Sequence, residues 1–140
     1  MIIEVEQLVF DFLKEKLKDR KVTVYHGLLP EINHEDREEG KSEKDLFPFA
    51  ILRVTKFEQT RNGIDNYDVP VDLEVWIGTK MENENDYLSN LSIGDYLKKE
   101  FLNESTVDGK FAVDQSYPFS IEYFTAEAEP YFYSVCRFRV

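Results

Sequence analysis

VPVDLEVWIG at residues 69–78, followed by TKMENEND at 79–86 and YLSNLSIGDYLKKEFL at 87–102, decides the fold. Val69, Val71, Leu73, Val75 and Ile77 alternate with Pro70, Asp72, Glu74 and Trp76. A period of two with one apolar side is the signature of a strand whose one face is buried. Gly78-Thr79 is expected to end it. After the acidic stretch to Asp86, the spacing predicts a helix from about Tyr87 to Leu102. Tyr87, Leu91, Gly94, Phe101 and Leu102 then fall on one broad face, flanked by Leu88 and Leu97. Lys98 interrupts that stripe and is expected to snorkel. Asn85 or Asp86 is expected to cap the helix, with the acids suiting its positive end. Gly94 costs about 1 kcal/mol relative to alanine inside a helix, which marks a point where helix approaches sheet closely.

Further elements fit around this pair. Val5, Leu8, Val9, Phe12, Leu13 and Leu17 recur at helical spacing, so residues 3–19 predict a core-facing amphipathic helix. Val22–His26 and FAILRVTKF at 49–57 read as strands. Asn62-Gly63 signals a hairpin between the latter and the strand at 67–77, with Pro70 marking an edge or a position outside the ladder. Asp108-Gly109 marks a turn, and Phe111–Val113 a short strand. Phe119, Ile121 and Tyr123 alternate in another. In the last strand, Tyr131–Val140, one face carries Phe132, Ser134, Cys136, Phe138 and Val140. The other carries Tyr131, Tyr133, Val135, Arg137 and Arg139. The expected fold is a single α+β domain over residues 1–140: an antiparallel sheet of about four to five strands with two helices packed on one face. The polar run within 27–46 is expected to be a mobile loop, since Asn33–Ser42 has no apolar residue with which to offset the entropy of ordering.

Composition narrows the function classes. Hydrophobic residues at 42% and aromatics at 14% exclude a disordered chain. A net charge of −11 with no basic run argues against tight nucleic-acid binding, though DNA can pass close by without sticking. One cysteine, Cys136, leaves no internal disulfide, as expected for a reducing compartment. The acids of MIIEVEQLVF do not suit a signal peptide, and no apolar run is long enough to cross a membrane, so a soluble chain made in a cytoplasm is expected.

The residues that carry chemistry elsewhere are sparse here. His34, Glu35, Asp36 and Glu38 lack a familiar ligand spacing. Asn83-Glu84-Asn85-Asp86 lacks the glycine and distal glutamate of a calcium loop. His26 and Cys136 form the one conceivable Cys–His pair, with nothing local to support it. Asp72 and Glu74 share a strand face, as catalytic carboxylates can, but solvation or cross-strand pairing with Arg53, Arg137 or Arg139 accounts for them more simply. No catalytic residue, metal or cofactor is expected.

FPFAILRV at 47–54, VDLEVWIGTK at 71–80 before an acidic loop, YLSNLSIGDYLKKEFL, GKFAVDQSYPFSIEY at 109–123 and YFYSVCRFRV at 131–140 resemble the tail terminator proteins of long-tailed bacteriophages and prophages, also described as minor capsid or head–tail joining proteins. The likeness covers about residues 47–140, and its motifs are structural. It implies a virion protein, assembled in the host bacterial cytoplasm, that forms a ring, hexameric in relatives. The ring ends the tail tube and joins it to the head connector. The implied partners are other copies of itself, the tube protein and the head-completion protein. Trp76, Tyr131, Tyr133 and Arg137 are then candidate interface residues. Asp72, Glu74, Glu82 and Glu84 are candidates for an acidic lumen or solvent face past which DNA slides. The alternative is a small bacterial cytoplasmic binding or adaptor module with no virion role.

Overall fold

The computed structural model describes residues 2–30, 35, 38–40, 46–61, 67–68, 70–80, 84–103, 112–124 and 131–140. The chain is an α+β fold: five strands form one mixed, mostly antiparallel sheet, accompanied by two long helices. Helix α1 spans Ile2–Leu17 and tightens into a 3-10 turn at Lys18–Arg20. Lys21 stops it with a left-handed backbone, φ 59°, and its N–H bonds the Lys18 carbonyl. Strands β1 (Thr23–His26) and β2 (Phe49–Phe57) follow. The short β3 (Thr60–Arg61) and β4 (Tyr67–Asp68) pair with each other in antiparallel register. Strand β5 is Val71–Lys80, helix α2 is Glu84–Asn103, and β6 (Ser120–Phe124) and β7 (Tyr131–Arg139) complete the chain.

The sheet order is β1-β2-β5-β7-β6. The stretch from 69 to 78 thus supplies the central strand. Its alternation is realised as expected: Val71, Leu73, Val75 and Ile77 are buried, and Asp72, Glu74 and Trp76 between them are half-buried. Register places Leu73 beside Phe138, Val75 beside Cys136, and Ile77 beside Ala50 and Ser134. These residues join one buried cluster with Val9, Phe12, Leu13 and Leu17 of α1 and Ile93, Leu97 and Phe101 of α2. Within it the rings of Phe12 and Phe101 lie 4.7 Å apart, and those of Phe101 and Phe138 4.5 Å. Burial of such side chains, each contributing about 1.5–3 kcal/mol, is the main stabilising term.

Several expectations are corrected. The sheet is not wholly antiparallel, because β1 pairs with β2 in parallel. The long connection between them lets the chain return to its starting end, which a tight hairpin cannot do. Gly78-Thr79 does not end β5. The strand continues to Lys80, and Gly78 is buried beneath Phe49, whose Cζ would lie 2.3 Å from a β-carbon there. Glycine is needed for that aromatic contact and not for a turn. Helix α2 begins at Glu84, so Asn85 and Asp86 lie in its first turn and do not cap it. Its buried side is Asn90, Ile93, Gly94, Leu97 and Phe101, while Tyr87, Leu88 and Lys98 are exposed. Gly94 meets the Ile121 side chain of β6, its notional β-carbon 3.3 Å from Cδ1, as its close-approach role requires. Ala112 and Val113 are not in a strand, although Val113 is buried in the core. The expected loop at 27–46 lies in good part outside the described residues, which there include Glu35 and Glu38, with helical backbone, and a bond from the Glu39 N–H to the Glu35 carbonyl. The Asn62-Gly63 turn, Glu82, Asp108-Gly109 and Phe111 lie outside the described residues. No helix among the described residues is long and apolar enough to cross a membrane.

Candidate interaction surface

The sheet face that points away from the common core brings together most of the residues singled out from sequence. Register aligns Trp76 between Ile51 and Val135, Gly78 between Phe49 and Tyr133, and Lys80 beside Tyr131. Phe124 of β6 sits beside Tyr133. At one end of this face Phe47 stacks on Tyr131 at 4.5 Å and lies 4.9 Å from Phe49 and 6.1 Å from Tyr133. Burial, followed by the neighbouring Tyr131, raises the Tyr133 phenol above its ordinary value. Trp76 stacks on Phe124 at 5.8 Å with rings only 8° from parallel. The Arg53 guanidinium lies over the Trp76 ring, 5.7 Å from its centroid, and Arg53 Nε–H donates to the Gly27 carbonyl.

The other end of the face is charged and internally paired. Arg139 donates to both carboxylate oxygens of Asp72, at 2.6 and 3.2 Å, and its guanidinium lies over the Tyr117 ring. Arg137 bridges Glu74, at 3.4 Å, and Glu122, at 2.7 Å. Trp76 Nε1–H donates to the second oxygen of Glu74 at 2.8 Å. The hydrogen bond to Glu122, aided by the charge of Glu74 against an opposing effect of burial, holds Arg137 above its usual basicity. For Arg139 the hydrogen bond to Asp72 does the same.

Asp72 and Glu74 are therefore paired with arginines and do not form a free acid–base pair. They lie side by side with arginines across β5 and β7, because opposite charges on directly paired residues attract and need little reach. Trp76, Tyr131, Tyr133 and Arg137 do share one surface. Glu84 is exposed in the first turn of α2. The structure does not bring His26 and Cys136 together: in the sheet Leu52 and Val75 separate them. His26 Nδ1 pairs with Glu6 of α1 and its ring stacks on Phe10 at 3.5 Å. Cys136 is buried, and the loss of solvation pushes its thiol up to about 12. Among the described residues no three His, Cys, Asp or Glu side chains gather into a metal-holding group.

Phe47 and Phe124 belong to this surface and were not singled out from sequence. The signal for Phe124 was present: with Ile121 and Tyr123 committed to one side of β6, the period of two sends Phe124 to the other. Phe47 precedes its strand and has no periodicity to reveal it. No protein-family model and no curated protein sequence matches the chain.

Proposed function

We propose that this protein is a non-enzymatic virion subunit that closes into a ring at the end of a long phage tail and joins the tail to the head connector. The observation that carries the reading is the resemblance over residues 47–140. FPFAILRV runs into β2, VDLEVWIGTK is β5 and YFYSVCRFRV is β7, so the resembling segments are three adjacent strands at the middle of one sheet. YLSNLSIGDYLKKEFL lies within α2. The paired acids and the aromatic end of the outer sheet face support an assembly role. Asp72 and Glu74 are engaged by arginines, while Trp76, Tyr131, Tyr133, Phe47 and Phe124 offer the aromatic area that interfaces favour. In this reading the aromatic end contacts the tube or connector protein, and the acidic balance of the chain lets DNA pass without binding.

The test is genetic. Deleting the gene from its phage is expected to leave heads beside tails that fail to join. Normal infectious particles from the deletion overturn the reading and leave the adaptor-module alternative in its place.

A further inference from the structure

Both ends of the sheet are open among the described residues. β1 has a neighbour only in β2, and β6 only in β7. The backbone of β1 shows what its open side offers. The N–H groups of Thr23 and Gly27 bond the carbonyls of Pro48 and Leu52. In a parallel ladder successive residues turn their polar groups alternately to one side and the other, so Val24 and His26 direct theirs outward. The His26 carbonyl accepts from the Leu28 N–H at 2.8 Å. The Val24 N–H and C=O thus face the open edge. Along that edge runs a groove of about 570 Å³, bordered on α1 by Asp11, Lys14, Glu15 and Lys18 and floored by Val22 and Val24.

Exposed strand edges are normally blunted by proline, lysine or a bulge, because they invite pairing. Thr23-Val24-Tyr25-His26 and Ser120-Ile121-Glu122-Tyr123-Phe124 contain neither proline nor lysine, and their ladders run without a register shift. The two edges also match one another. β1 runs with β2, and each later step across the sheet reverses direction, so β6 runs opposite to β1. A second copy placed beside the first, continuing the sheet, therefore meets β1 with an antiparallel β6. The pleats agree: Val24 on β1, and Ile121 and Tyr123 on β6, lie on the side of the common core. Tyr123 is 40% exposed, and Tyr87 of α2, packed like it on Phe132, is 39% exposed. Charge permits the approach. Two lysines offset two acids in the groove, and Glu122 is held by Arg137, so both edges are balanced on a chain of net charge −11.

We infer that copies of this chain join head to tail by strand addition, β6 of one copy pairing antiparallel with the open edge of β1 in the next, its apolar side directed into the groove along α1. The inference rests on the ring reading above and names the surfaces that make the ring. The contact is heterologous, so an open chain of copies keeps one free edge at each end until the ring closes.

Sedimentation of the full chain over rising concentration and salt tests it. Val24→Pro removes an N–H that faces the open edge among the described residues, and Tyr123→Lys places a charge at the other edge. Each variant is expected to stay monomeric under conditions where the unaltered chain assembles, with its melting transition retained. Phe57→Lys, which alters an exposed apolar residue outside both edges, is expected to assemble normally. Mixed together, the Val24→Pro and Tyr123→Lys chains are expected to form a dimer that grows no further, since each retains the edge the other lacks. Should Val24→Pro fail to fold, Tyr123→Lys alone decides. Assembly of a folded edge variant like the unaltered chain overturns the inference while leaving the ring reading standing. An unaltered chain that remains monomeric throughout also overturns it, and the gene deletion then decides the tail role separately.

Discussion

Cys136 is a thiol whose chemistry is set by its place on β7. It lies beside Val75 and Ile121 in the register and is only 1% exposed. Loss of solvation disfavours its thiolate and pushes it from an ordinary value of 9.0 to about 12. The protonated form is thus favoured in the folded chain. The corresponding stability is present in full below about pH 9 and is lost as pH rises toward 12. Across that window the loss due to this group is about 1.4 kcal/mol per pH unit. Denaturant titrations at a series of alkaline pH values are expected to show this decline, and Cys136→Ala is expected to flatten it. Tyr123 and Tyr133, both raised chiefly by burial, add a further decline that survives the substitution. An unchanged slope in Cys136→Ala would assign the whole effect to the tyrosines.

Helix α2 is fixed to the sheet by polar contacts as well as by apolar ones. Asn90 has no exposed surface, yet its amide is fully used. It donates to the Thr79 hydroxyl at 2.8 Å and to the Phe132 carbonyl at 3.2 Å, and it accepts from the Ser134 hydroxyl at 2.9 Å. One side chain thus ties α2 to both β5 and β7. A buried network of this kind is valuable only when complete, because an orphaned member costs about 1–3 kcal/mol. Asn90→Leu is expected to destabilise the protein by at least that amount in chemical denaturation. Adding Ser134→Ala is expected to restore part of the loss, since it removes the hydroxyl left without its acceptor. Additive losses in the double variant would mean the two residues act independently.

On the scale of the whole molecule, net charge opposes assembly and local pairing permits it. Identical copies at −11 repel one another. The repulsion reaches about 30 Å at 0.01 M ionic strength and only about 3 Å at 1 M. Self-association of the purified chain is therefore expected to strengthen as salt is raised, measured by sedimentation at fixed protein concentration. Weakening with salt would show instead that attractive ion pairs across the contact outweigh the overall repulsion. The outer sheet face is consistent with this balance: Glu74 and Glu122 share Arg137, and Asp72 is paired with Arg139.

The periodic stretches were legible in the sequence because their spacing is a local property. Val71, Leu73, Val75 and Ile77 declared a strand and its buried side, the two faces of β7 and the helical stripe of α1 did the same, and FAILRVTKF declared a strand. The charge pairs Asp72–Arg139 and Glu74–Arg137 were foreseeable in kind, since all four residues alternate onto the same side of their strands. Their identity depended on register between segments about sixty residues apart, which no local pattern contains. The parallel pairing of β1 and the open edges it leaves likewise arise from the route of the chain between strands. Asn90 shows the same limit from the other side. Its own stretch of sequence does not mark it for burial, and only the approach of Thr79, Phe132 and Ser134 from two strands gives it the partners that allow it.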